Sequence, residues 1–314
     1  VTVRALLPIA LAACAARPAP PAVTPTCAET VAAQSDVRAP RPLDPALPTL
    51  RVENLRFADM AVCATGRCES QGSAPAAPVT EDGATTLPPA MVWVQVIRPG
   101  ASVVVPSRAH TDLLGVTLVG ELSLERAAAP QVAPVRAGAW TAFLAPDGDA
   151  VLRCVGDSPA AAVLVTARGD GPVTGRGADV ETVDLVTTQD LSWAHGAVHA
   201  RIAFEGPRSP RASLGVLLAS DDAPVAEHAH DGAWEVLAAL SAAGRLHVPA
   251  QSVPGVRTPL EARDRTVTAG SIVYVPAGVR HGWVPDGTRP LIAVQVYAPA
   301  GPEQRFRGLA ASGR

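Results

Sequence analysis

Lysine is absent from the 314-residue chain, so all 26 of its basic side chains are arginines. That is the mark of a GC-rich coding sequence rather than of a function. The arginines are scattered and outnumbered by 29 acidic residues, for a formal net charge of -3. Without a clustered basic patch there is nothing to neutralise a run of phosphates, so nucleic acid is not an expected partner. No apolar stretch approaches the roughly 20 residues needed to span a bilayer. Helical periodicity is scarce, and no Ser-His-Asp or Cys-His order of a covalent hydrolase is present.

What the chain has instead is punctuation: 31 Pro and 26 Gly, set between short runs of Val, Leu and Ile. Met91-Val-Trp-Val-Gln-Val-Ile97 and residues 115–124, 161–166, 212–219, 266–275 and 290–297 recur at strand spacing, bounded by Gly, Pro or Asp. The fold class expected is all-β. Two blocks share an internal order. The first runs through Pro99-Gly100, Gly120-Glu-Leu, Ala137-Gly138 and Pro146-Asp-Gly148; the second through His230, Gly244-Arg-Leu, Ala269-Gly270 and Pro276-Ala-Gly278. This repetition predicts two barrels, over residues 86–168 and 185–300, joined by a Gly-rich linker near residues 168–190. Residues 15–50, rich in Pro and Ala, read as an extended tether, and residues 50–85 as one strand and a cysteine loop. In the tail, 301–314, a short helix is expected from Glu303 to Ala311.

The N-terminus has the layout of an export signal over residues 1–13. Arg4 precedes a nine-residue apolar run, Ala5 to Ala13, too short to span a membrane. The run ends Leu11-Ala12-Ala13-Cys14, which resembles the lipobox of bacterial lipoproteins. The resemblance implies lipid on Cys14, anchoring in the bacterial envelope by lipid alone, and, with Ala15 rather than Asp next, the outer membrane or periplasmic face. In an oxidising compartment the remaining Cys27, Cys63, Cys68 and Cys154 are expected to pair. Three pairings exist. Cys63 and Cys68 bracket a short Gly-containing loop, which favours that pair together with Cys27 and Cys154; a zinc site from the C-x4-C is the alternative.

Chemistry concentrates in the second block. In His228-Ala-His230-Asp-Gly-Ala-Trp-Glu235, two histidines two apart on a strand project from one face. Asp231-Gly232 is a turn signal that brings Glu235 back beside them. Gly270-Ser-Ile-Val-Tyr-Val-Pro276-Ala-Gly278-Val-Arg-His281 ends a strand and sets His281 opposite. Three imidazoles and a carboxylate suit one divalent transition metal: Fe, Mn, Ni, Cu or Zn. These two stretches resemble the paired motifs of the cupin superfamily, G-x5-H-x-H-x3,4-E-x6-G and G-x5-P-x-G-x2-H. The resemblance implies tandem jelly-roll barrels, with His228, His230, Glu235 and His281 as metal ligands. Two departures occur in the first motif. Asp222 stands where the leading Gly is usual, and eight residues rather than six separate Glu235 from Gly244, which implies a longer hairpin.

In the first block the aligned positions are Arg108, His110 and Gly115, with Val151 or Asp149 as the fourth. That set lacks the donors for a metal, so the first barrel is expected to be a metal-free packing partner. Tyr274, Trp234, Trp283 and Arg280 adjoin the ligands in sequence and are pocket candidates. His195 and His199 lack an accompanying carboxylate and read as surface residues. Two functions of different class follow from the resemblance. One is a metal-dependent oxygenase, isomerase or lyase acting on a small molecule. The other is a non-catalytic envelope protein that binds a small ligand, a metal or a surface partner; a homodimer is possible in either. A single Arg before the apolar run implies export as an unfolded chain, so the metal would be acquired outside the cytosol. There the order of affinities favours Zn or Cu over Mn, Fe or Ni.

Overall fold

A computed structural model describes residues 40–57, 60–64, 67–71, 88–106, 110–127, 132–147, 149–170, 173, 179–253 and 259–312. The architecture is all-β, with two sandwich barrels in tandem. The first is built from β1 (Met60–Ala64), β2 (Arg67–Gln71), β3 (Ala90–Ile97), β4 (Ser102–Val105), β5 (Thr111–Val119), β6 (Glu121–Arg126), β7 (Val135–Ala137), β8 (Thr141–Ala145), β9 (Ala150–Val155), β10 (Ala160–Arg168) and β11 (Glu181–Asp184). The second uses β12 (Leu191–Trp193), β13 (Val198–Phe204), β14 (Ser213–Ala219), β15 (Val225–His228), β16 (Trp234–Ser241), β17 (Ala243–Val248), β18 (Arg263–Thr268), β19 (Ile272–Val275), β20 (His281–Pro285) and β21 (Leu291–Ala298). In the first barrel a seven-stranded sheet, β11-β8-β5-β10-β3-β1-β2, accompanies a four-stranded one, β4-β9-β6-β7. In the second the sheets are six-stranded, β12-β13-β14-β21-β16-β19, and four-stranded, β15-β20-β17-β18.

The two large sheets share a core. Strand side chains alternate between faces. On β10, Ala161, Val163 and Val165 enter the core shared with the second barrel. Ala160, Ala162 and Leu164 fill the first barrel. On β14, Leu214, Val216 and Leu218 face the shared core, whereas Leu217 and Ala219 face the second interior. A strand buried on both faces must be apolar throughout. This is why these segments read as unbroken Val/Leu/Ala runs.

Several boundaries differ from the sequence expectation. β1, β2 and β11 lie outside residues 86–168 yet extend the first barrel's large sheet, β1 running parallel to β3 and β11 antiparallel to β8. The tether expected to reach residue 50 is docked from residue 40 onward. Leu43, Leu47, Leu50 and Val52 pack on the shared core. Trp140 Nε1 donates to the Pro48 carbonyl at 2.9 Å and the Arg201 guanidinium to that of Pro45 at 3.2 Å. Arg41 meets Asp221 at 2.6 Å and Asp222 at 3.3 Å. Leucines spaced among the prolines supply the anchoring that the Pro-rich texture concealed. The chain after Glu235 is no hairpin either: β16 pairs with β19 and β21, and β17 with β18 and β20, so the strand crosses between sheets near Ala242.

Among the cysteines, Cys63 is disulfide-bonded, and the residue opposite it in the β1–β2 ladder is Cys68. Cys154 is a free, buried thiol that donates to the Ser158 carbonyl, which corrects the expected pairing with Cys27. Its strand points it into the first barrel's core. Cys14 and Cys27 lie outside the described residues. The tail helix spans Gln304–Ser312 and buries Phe306 against Leu191 and Tyr297.

A buried ion cluster joins the barrels: Arg211 Nη1 donates to Asp112 Oδ1 at 2.6 Å and to Asp147 Oδ1 at 2.8 Å, with the Asp112 side chain 0% exposed. Removing one partner of a buried ion pair costs up to about 3–5 kcal/mol, and less here because Arg211 keeps Asp147 when Asp112 is lost. Asp112→Ala is therefore expected to lower the thermal midpoint by several degrees in calorimetry. Asp112→Leu combined with Arg211→Met should destabilise less than the sum of the two single changes.

Candidate metal centre

Three elements bring the motif residues together. β15 ends at His228, whose ladder partner is His281, the first residue of β20. The chain then turns at Gly232, with φ of 88°, and enters β16 in the facing sheet. On β16 Val236 and Ala238 belong to the shared core, so alternation sends Glu235 and Leu237 into the barrel. The turn before His281 is tied to the first motif by Gly278 N–H, which donates to the His230 carbonyl at 2.9 Å. One ligand atom from each of His228, His230, Glu235 and His281 lies within 4.8 Å of the others. Glu235 is 3% exposed, His281 2% and His230 5%.

The hydrogen bonds orient the donors. His228 Nδ1–H donates to the Ala226 carbonyl at 2.8 Å and His281 Nδ1–H to that of Val279 at 2.9 Å. Each bond fixes a tautomer and turns Nε2 toward the centre, the outer-shell arrangement that metal-binding histidines use. Glu235 Oε2 lies 2.7 Å from His281 Nε2 and 3.1 Å from His230 Nε2. Its Oε1 accepts from Gln295 Nε2 at 2.5 Å and from the Tyr297 hydroxyl at 3.3 Å.

Burial alone would raise the Glu235 pKa, but the bonds and charge of His230 and His281 prevail and hold it well below the usual carboxylate range. Burial opposes charge on His281 as well, yet the Glu235 carboxylate raises its pKa above the ordinary value. With Nδ1 on a carbonyl and Nε2 on a carboxylate, the protonated His281 ring donates at both nitrogens. His228 behaves oppositely: desolvation, Arg305 and His281 push it down to about 3, so it is neutral. Burial, reinforced by Glu235, raises the Tyr297 hydroxyl well above its ordinary value. A buried carboxylate bridged by protons to two imidazoles, beside a third that is neutral, is a donor set whose protons a divalent ion can replace.

The neutral His228 accepts at Nε2 from Arg305 of the tail helix, at 2.8 Å. His228, Glu235 and His281 line a cavity of about 570 Å³, and its other walls include Leu217, Leu237, Leu246, Leu291 and Leu309. Trp193 and Phe306, stacked with centroids 5.1 Å apart, also line it.

Of the pocket candidates, Trp283 lines this cavity. Tyr274 instead packs at the shared core and bonds the Val92 backbone. Arg280 is exposed, with Glu227 at 3.6 Å, because it alternates with the inward His281. Trp234, adjacent to the inward Glu235, is half-buried and does not line the cavity. His199 is buried rather than superficial, with Asp190 Oδ2 2.7 Å from its Nδ1, a carboxylate partner nine residues earlier; His195 is exposed. In the first barrel a Cβ on Gly115 would lie 2.4 Å from the Phe143 ring, which fills that level of the interior. The residues that local sequence did not point to are Arg305, Phe306, Gln295 and Tyr297. The last two carry the signal of polar groups set in the apolar run of β21.

No protein-family model matches the chain. No curated protein matches it. Solved structures do. A deletion mutant of Bacillus subtilis oxalate decarboxylase aligns with a TM-score of 0.54 at 13% identity, over 71% of this chain and 72% of that one. A structure of the same enzyme concerned with its Mn(II) centres gives 0.55 at 13%, over 71% and 72%. An arginine-to-alanine mutant gives 0.55 at 12%, over 73% of this chain and 78% of that one. Identity this low speaks to the fold alone: this chain has two β-sandwich barrels in tandem, a fold similar to that of oxalate decarboxylase.

Proposed function

We propose that the second barrel holds one divalent transition metal on His228, His230, Glu235 and His281 and works as a metal-dependent oxygenase, isomerase or lyase on a small molecule. The observation that carries this reading is the cavity of about 570 Å³ whose wall includes three of the four donors. A structural ion is closed off by its ligands, whereas a working one keeps positions open. When bound, the ion would supply Lewis acidity or an activated water. The chain's own part is to hold Glu235 anionic between His230 and His281, to keep both Nδ1–H groups on carbonyls, and to exclude bulk water with the apolar wall. The competing reading, a non-catalytic binding protein, predicts ligand uptake without turnover. Oxygen consumption and product analysis on metal-loaded protein separate the two.

Two considerations bear on the ion. The similar oxalate decarboxylase has Mn(II) centres. The export reading of the N-terminus favours Zn or Cu. Elemental analysis of protein from its native source distinguishes these, and full occupancy by iron or manganese removes the Zn or Cu assignment. We also propose that Cys14 is lipidated and anchors the chain in the bacterial envelope, a reading supported by Leu11-Ala12-Ala13-Cys14. Cys14→Ala should then abolish labelling by radioactive palmitate; labelling that survives removes it.

Glu235→Ala and His281→Ala are each expected to reduce bound metal, read by mass spectrometry, to well below one ion per chain. If both variants keep a full equivalent, the ligand assignment is wrong. The ion must displace the proton held by His281, whose pKa is raised above 6.5. Below that raised value each displaced proton costs affinity about tenfold per pH unit, and above it the dependence flattens. Calorimetric titration in buffers of different ionisation enthalpy should therefore show proton release at pH 6 that diminishes at higher pH.

A further inference from the structure

The cavity beside the candidate metal has two unlike ends. Its polar groups are gathered round one point: His228, Glu235 and His281, with Gln295 on Glu235 and Arg305 on His228. The remaining acidic residue in the wall, Glu227, faces His247 and Arg280. The rest of the lining is apolar, chiefly leucine, tryptophan and phenylalanine, with Val225, Pro224 and small residues between them. Two donors in this wall are unused among the described residues: Trp283 Nε1, on a side chain 5% exposed, and Arg305 Nε. Buried donors left without acceptors are costly, and a ligand that supplies acceptors relieves that cost.

Arg305 is the informative residue. Its guanidinium is always charged, yet its one side-chain hydrogen bond among the described residues goes to a neutral imidazole, His228 Nε2. An imidazole nitrogen offers a single lone pair. Ion binding at His228 Nε2 and acceptance from Arg305 exclude each other, so loading the site sets the guanidinium free at the cavity wall. A freed cation there is a receptor for an anionic oxygen group.

We infer that the ligand of this site is an amphipathic small acid, with oxygen donors and a negative charge at the metal end, held by Arg305, and an apolar body filling the leucine-lined cavity. A compact polar dianion such as oxalate offers the apolar walls nothing. The inference rests on the metal-site reading above and adds the substrate class to it. It also makes the tail helix part of the site, since Arg305, Phe306 and Leu309 all come from it.

The test uses the full chain loaded with Mn(II), its metal content measured first, and compares phenylpyruvate with oxalate by calorimetry. Phenylpyruvate should bind at least tenfold more tightly. Leu309→Gln should weaken phenylpyruvate severalfold and leave oxalate unchanged. Arg305→Met should weaken phenylpyruvate at least tenfold while one Mn(II) per chain is kept, and Arg305→Lys should recover part of that loss, which a merely structural role would not do. Oxalate binding as tightly as phenylpyruvate overturns the inference, as does an Arg305→Met variant that binds phenylpyruvate like the parent. If no metal is retained, it is the metal-site reading that fails. The cavity is then judged on metal-free protein, where phenylacetate should bind at least tenfold more tightly than acetate, and equal binding overturns the inference.

Discussion

Burial of both faces of the large sheets is the constraint from which the site follows. β16 cannot slip by one residue, because a shift would turn Val236 and Ala238 out of the shared core and Glu235 into it. The core between the barrels therefore sets the direction in which the Glu235 carboxylate points. The first barrel, whose interior is packed with side chains such as Phe143 and Leu164, supplies the surface against which β16 and β21 are pinned.

Pointing a carboxylate inward has consequences for everything around it. At 3% exposure Glu235 retains its charge because two imidazoles and two neutral donors, Gln295 and Tyr297, converge on its oxygens. Charge on His281 and neutrality of His228 then follow from one another, since two imidazolium rings 4.4 Å apart beside Arg305 would repel. The cluster is thus held by protons in the places where an ion would bind, and its outer bonds to Ala226 and Val279 are already those that a metal site needs.

Much of this was legible in the residues. The all-β class and the two-barrel order followed from apolar runs broken by Gly and Pro, and the four candidate ligands stood in two short motifs. Other parts were hidden for identifiable reasons. Arg280 adjoins His281 in sequence, but strand alternation sends it to the opposite face. Tyr274 sits within the second motif, yet its hydroxyl serves the backbone of β3. Cys154 is set in a strand whose register points it into a packed interior. Residues 40–50 have the composition of a linker, and only leucines at 43, 47 and 50 hint at their docking.

The sequence by itself determined the strand class, the repeated barrel order and the set of nitrogen and oxygen donors, because each depends on local periodicity or on residue type at short spacing. Tertiary structure alone decided what those donors face. Arg305 is 77 positions from His228, and Phe306 is more than 100 from Trp193, its stacking partner. No local pattern links them. The cavity exists because the tail helix folds back over the barrel mouth, a placement set by burial of Phe306 rather than by any motif.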